Sequence, residues 1–132
     1  MRIAALIAAA ALSGCLGTTE DAATVAPMGV DFAWTEADRC ATASPAFTVS
    51  GVPAGTATLR FRMKDLDVPT YNHGGGSVDW SGQDGVPQGA FNYKGPCPPS
   101  GAHDYEWTVE AIDASGGTVI GRGKAVRAFP PS

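Results

Sequence analysis

Charge is scarce in this chain, and clustered positive charge is absent. Only 17% of the 132 residues are charged, and the nine Lys and Arg are scattered among thirteen Asp and Glu. No basic stripe exists to neutralise a phosphate backbone, which excludes nucleic acid as a partner class. The same shortage excludes broad electrostatic adhesion to acidic lipid faces. Long apolar runs are missing too. The one candidate, Ile3–Leu12, has ten residues, too few for a permanent membrane-spanning helix. Beyond that run no segment carries a helical period, and no repeat or low-complexity tract appears. Three cysteines permit at most one disulfide within the chain. What is plentiful is 17 Gly and 10 Pro between short alternating segments, which indicates a β-sandwich or a related all-β fold.

The amino terminus reads as an export signal. Arg2 supplies the positive start, Ile3–Leu12 the apolar region and Ser13-Gly14 the small residues before a cut. Leu12-Ser13-Gly14-Cys15 resembles a bacterial lipobox, which implies that residues 1–14 are a signal peptide and that Cys15 carries lipid. The alternative is an ordinary signal peptide with a chance cysteine. The polar segment 15–28 is expected to tether the lipid to a domain spanning 29–132. Leu16 after the cysteine, by analogy, points to the outer membrane of a bacterial envelope, facing the periplasm. Cys40 and Cys97 remain. In an oxidising compartment they are expected to pair, closing 57 positions for roughly 4 kcal/mol on the chain-entropy model. Two separately buried thiols are the alternative.

Two strands are clear. In Thr56–Lys64, Leu59, Phe61 and Met63 alternate with Thr58, Arg60, Arg62 and Lys64. In Tyr105–Ile112, Tyr105, Trp107, Val109 and Ala111 share one face and Glu106, Thr108 and Glu110 the other. As neighbours, these strands would pair Arg with Glu across the ladder. Val30–Trp34 and Ala46–Val49 are shorter candidates. Thr118–Ile120 and Lys124–Phe129 read as a terminal pair split by Gly121-Arg122-Gly123, with a hairpin turn at Asp113–Gly117.

The most informative stretch is Gly95–Tyr105, Gly-Pro-Cys-Pro-Pro-Ser-Gly-Ala-His-Asp-Tyr. Its prolines and glycines fix a path that is neither helix nor central strand. At its end His103 and Tyr105, two residues apart on extended backbone, face the same way. Both side chains can donate hydrogen bonds to an anion. This segment resembles the second signature of the phosphatidylethanolamine-binding proteins. Asp65-Leu66-Asp67-Val68-Pro69 with His73 resembles the first signature. Cys40, Ser44-Pro45 and Val52-Pro53 are similar to the opening of bacterial members.

The resemblance implies a β-sandwich of that family's type, with few or no helices beyond the signal and the family's last helix absent. It also implies an anion pocket using Asp65, His73, His103 and Tyr105, with Pro98, Pro99 and Gly101 shaping the wall. Asp65 would fix one imidazole's tautomer while the second imidazole and the Tyr105 hydroxyl meet phosphate or carboxylate oxygens. Each residue also has a plainer reading: Asp67 as a turn initiator, Tyr105 as a core ring, His103 as a structural histidine. Two positions depart from the family pattern. Gly74-Gly75-Gly76 follows His73 where a bulky residue is usual, and Asp104 stands where Arg is usual. Trp80 is the nearest tryptophan, and whether it folds over the pocket is left open by the sequence.

The expected function is a non-catalytic, lipid-anchored binding protein. Its partners would be the membrane, through Cys15, and a phosphate- or carboxylate-bearing small molecule or phospholipid head group. No serine or cysteine nucleophile lies beside a base, no close-spaced helical pair of metal ligands occurs, and no cofactor or metal is implied. The alternative is a protein-interaction or inhibitor-like module that has lost its ligand.

Overall fold

A computed structural model describes residues 24–132. The expected signal peptide 1–14, the Cys15 lipid site and most of the tether lie outside the described residues. Seven strands follow in order: β1 Ala26–Pro27, β2 Gly29–Asp31, β3 Thr48–Ser50, β4 Thr56–Asp65, β5 Gly75–Asp79, β6 His103–Asp113 and β7 Val119–Phe129. The helical content among the described residues is one 3-10 turn, Glu36–Asp38, capped at Thr35 by the Asp38 carboxylate. The fold is all-β, as expected.

Five strands form one sheet in the order β1-β7-β6-β4-β5, and β2 and β3 form a second, two-stranded sheet. The β4 and β6 strands are antiparallel neighbours, with Met63 opposite Trp107 and Asp65 opposite Tyr105. Their alternation sends Leu59, Phe61, Tyr105, Trp107, Val109 and Ala111 into a core where none is more than 1% exposed. From the other layer come Phe32, Trp34, Phe47, Val86, Phe91 and Tyr93. The rings interlock edge-on: Phe47 meets Trp107 at 5.1 Å and Trp34 meets Tyr105 at 6.2 Å. Such contacts add to the area term that drives burial. On the opposite face Glu110 receives Arg60 at 2.8 Å and Arg122 at 2.7 Å, so the expected cross-ladder pairing forms there.

Several boundaries differ from the sequence expectation. The tether does not run to residue 28. Ala26–Pro27 pairs parallel with Gly121-Arg122 of β7, and Met28 is buried. The Gly121-Arg122-Gly123 triplet does not split a terminal pair; β7 is one continuous strand. Its glycines serve close approach instead. A Cβ on Gly123 would lie 2.5 Å from the Met28 carbonyl oxygen, and one on Gly121 2.8 Å from the Met28 sulfur. Val30–Trp34 shortens to Gly29–Asp31, because Phe32 and Trp34 leave the ladder to fill the core. Ala46–Val49 becomes Thr48–Ser50, with Phe47 bridging Val86. The five-residue β5 was not legible as a strand, since three of its residues are Gly75, Gly76 and Ser77. The Asp113–Gly117 hairpin turn forms as read, with the Asp113 carboxylate accepting from the Thr118 N–H and the Ser115 hydroxyl.

Candidate functional site

The core-facing rows of β4 and β6 end in polar residues. On β4 the row Leu59, Phe61, Met63 is completed by Asp65, buried at 4% exposure. On β6 the row Ala111, Val109, Trp107, Tyr105 runs out to His103 at the strand's first position. Antiparallel pairing brings these ends together. His103 Nδ1 lies 2.7 Å from Asp65 Oδ2. The other Asp65 oxygen accepts the N–H groups of Asp67 at 2.9 Å and Val68 at 3.1 Å, closing a tight turn after the strand. Asp67 then accepts the Asp104 N–H at 2.8 Å, and the Leu66 N–H donates to the Asp104 carbonyl at 2.8 Å. The loop after β4 is thereby stitched to the start of β6.

His73 enters from the same loop just before β5 and is 4% exposed. Its Nδ1 is 2.6 Å from the Lys94 carbonyl oxygen. A carbonyl only accepts, so Nδ1 carries the proton and Nε2 is the nitrogen left over. In His103 a carboxylate plays the same part. Both imidazoles are therefore pinned through Nδ1, with Nε2 unspent. The His73 ring lies 5.5 Å from Tyr105 edge-on and 4.5 Å from Tyr71.

These groups surround a cavity of about 360 Å³. Asp65, His73, His103 and Tyr105 all line it, with Cys97, Pro98 and Pro99 from the proline loop and Val68 and Tyr71 from the loop after β4. The Cys40–Cys97 disulfide forms and ties the proline wall to the segment after the 3-10 turn. The Cys40 N–H also donates to the Pro96 carbonyl at 2.8 Å. Cys40 itself takes a left-handed backbone, φ +52°, unusual for a residue with a side chain.

Burial works against a charged Asp65. The hydrogen bond from His103 and the two backbone donors outweigh it and hold the carboxyl below its ordinary range. The bond to Asp65 raises His103 above its ordinary value, with partial burial opposing and the Asp65 and Asp67 charges assisting. Burial, then the charge of Asp65, pushes the Tyr105 hydroxyl up to about 12, so it remains a donor through the physiological range.

One expectation is corrected and one open point is resolved. Gly101 does not line the cavity; with φ +65° it turns the chain into β6. Trp80 does not fold over the pocket. Its N–H donates to the Ala57 carbonyl at the far end of β4, and its ring packs against the core. Tyr71, which the sequence reading passed over, lies on the pocket instead. The signal for it was local: an aromatic two residues before His73 in a loop whose two ends are both tethered. Asp67 closes the turn as read, and in addition clamps Asp104.

Among the described residues, Asp65, Asp67 and His103 have ligand atoms that lie within 4.8 Å of one another. Each of these groups already makes a hydrogen bond within the fold. His73 lies outside the group, so two histidines and a carboxylate do not assemble as a facial triad.

No curated protein matches this chain by sequence. Among solved structures, Escherichia coli YbcL, described as a member of the mammalian PEBP family, superposes with a TM-score of 0.63 at 17% identity. The match covers 80% of this chain and 99% of YbcL. A phosphatidylethanolamine-binding protein homologue, CT736 of Chlamydia trachomatis, gives 0.56 at 20% identity, over 68% of this chain and 82% of its own. At these identities the likeness is one of fold. The sequence model named phosphatidylethanolamine-binding protein matches residues 19–129, a span holding every strand and both halves of the cavity, and by that match the chain belongs to the phosphatidylethanolamine-binding protein family.

Proposed function

We propose that this protein is a non-catalytic binding module whose pocket holds the phosphate or carboxylate of a small molecule or phospholipid head group. The observation that carries the reading is the paired anchoring of His73 and His103 through Nδ1 beside the Tyr105 hydroxyl, around one cavity. A protonated His103 Nε2 and the Tyr105 O–H are both donors suited to anion oxygens. The volume exceeds what a lone phosphate needs, and Val68, Tyr71, Pro98 and Pro99 give an apolar lining for the rest of the molecule. Among the lining residues the Cys97 sulfur is tied up in a disulfide and the Asp65 carboxylate is held by three donors, which supports a binding role for the pocket. The same proposal has the chain exported and lipid-attached at Cys15, facing the periplasm of a bacterial envelope.

Titration with phosphate and with phosphoethanolamine, followed by the ring signals of the two histidines, tests it. Both rings shift if the pocket binds. Unperturbed rings at millimolar ligand overturn the reading. The exposed carboxylates of Asp67 and Asp104 beside the pocket oppose an incoming anion by Coulomb repulsion. They favour the second reading, an interaction module that has lost its ligand, and ligand-independent stability in every titration would support it.

A further inference from the structure

The outer edge of the five-stranded sheet is open at β5. Among the described residues that strand pairs with β4 alone. The ladder's parity shows which of its groups point away. The Met63 N–H donates to the Gly74 carbonyl at 3.0 Å, and the Trp80 N–H to the Ala57 carbonyl at 2.8 Å. The bonds to β4 therefore fall on the even-numbered residues of β5. Gly75, Ser77 and Asp79 turn their N–H and C=O groups outward. Of these outward groups only the Asp79 carbonyl has a partner among the described residues, the exposed Gln83 amide at 2.9 Å.

Beside this edge, on the solvent face, lies a shallow cavity of about 270 Å³ bordered by Arg60, Arg62, Asn72, Ser77 and bare glycine backbone. Arg60 is paired with Glu110, whereas Arg62 is exposed and has no ion-pair partner among the described residues. Opposite Arg62 in the ladder stands Gly75, which has no side chain to block it. A strand added along β5 would set a side chain directly across that glycine from Arg62, and an acidic one would be complementary. A Cβ at Gly75 is itself excluded by contact with the Phe61 carbonyl.

We infer that the β5 edge is an interface for a second copy of this chain, joined antiparallel about a two-fold axis through Ser77. The strand is self-complementary in that register. Ser77 meets Ser77 of the other copy, and Gly75 meets Asp79. All three outward residues then fall on hydrogen-bonded pairs. Four of the six ladder bonds form from groups already free, and the other two form as Gln83 releases the Asp79 carbonyl. On the solvent face each row reads Arg62, Gly75, Asp79 of the other copy. The two charges sit about two strand spacings, roughly 10 Å, apart at the backbone, a gap that the extended side chains close over the glycine. The interface is independent of the pocket and does not rest on its ligand.

Cross-linking of the full-length chain tests this, in cells and after detergent extraction. Ser77→Cys places thiols at the two-fold axis within disulfide reach. It is expected to give a disulfide-linked homodimer several-fold more abundant than the exposed hairpin control Ser115→Cys. In the Ser77→Cys background, Arg62→Asp or Asp79→Arg alone is expected to lower the yield about 2- to 10-fold, from two weakened exposed ion pairs. The double reversal is expected to restore it. Cross-linking no greater than the Ser115→Cys control, adducts only with other proteins, or no restoration by the double reversal would each overturn the inference.

Discussion

His103 Nδ1 stands 2.7 Å from Asp65 Oδ2, and this contact joins the last residue of β4 to the first residue of β6. The bond raises His103 and helps lower Asp65. The signs set a window. The stabilisation from His103 is fully present below its ordinary value of 6.5 and is lost as pH rises through its raised folded value. The stabilisation from Asp65 is present above its ordinary 3.8 and is lost as pH falls through its lowered folded value. The pair therefore contributes most between about pH 4 and 6.5 and fades on both sides. Denaturant unfolding from pH 3 to 9 checks this. In Asp65→Asn the alkaline decline should flatten, and the His103 ring should titrate lower than in the parent.

Ligand affinity should follow the same histidine. Protonation of His103 turns Nε2 into a charged donor, so phosphate binding is expected to strengthen as pH falls through the raised His103 value. Tyr105→Phe removes a neutral donor and should weaken binding about 2- to 10-fold. Because the Tyr105 hydroxyl ionises only near 12, the parent should show no loss of this donor up to pH 9. Calorimetric titration across pH distinguishes the two contributions.

The disulfide should couple stability to the pocket. Replacing Cys40 and Cys97 together by serine reopens a span of 57 residues and should cost roughly 4 kcal/mol in denaturant unfolding. It also unties the wall carrying Pro98 and Pro99. Binding should weaken in this variant even under conditions where the fold persists, whereas Trp80→Phe should leave binding unchanged. Equal ligand affinity in the serine pair and the parent would count against the wall's role.

Gly123 should resist substitution although it lies in a strand, where alanine is ordinarily tolerated at least as well. Gly123→Ala drives a methyl to within 2.5 Å of the Met28 carbonyl, so β1 must shift away from β7. About 1–3 kcal/mol is the expected cost, read as a lowered midpoint in urea with little change in slope. Gly116→Ala, in open space within the hairpin turn, is the control.

Much of this molecule follows from local pattern. The alternation in Thr56–Lys64 and Tyr105–Ile112 is enough to define two strands and their buried faces, because a period of two leaves each side chain no choice of face. The same period carried His103 and Tyr105 to one side, and the proline loop marked where β6 begins. Local pattern misreads residues whose role comes from a distant neighbour. Gly121 and Gly123 look like a break until Met28 is packed against them. Residues 26–28 look like tether until they pair with β7. Tyr71 is unremarkable until the His73 ring lies beneath it.

Composition and order along the chain pointed to the fold class and to the pairing of two cysteines 57 positions apart, and the family resemblance pointed to the motif residues around the cavity, Gly101 excepted. Convergence was not written in any one segment. Asp65 and His103 are 38 positions apart, and His73 and Lys94 are 21 apart. Only the antiparallel register of β4 on β6, and the return of the chain past Lys94, bring an acid, two imidazoles and a phenol to one hollow. Hydrogen-bond geometry across those separations then sets each tautomer and each charge, because a proton's position depends on the partner it faces and not on its place in the chain.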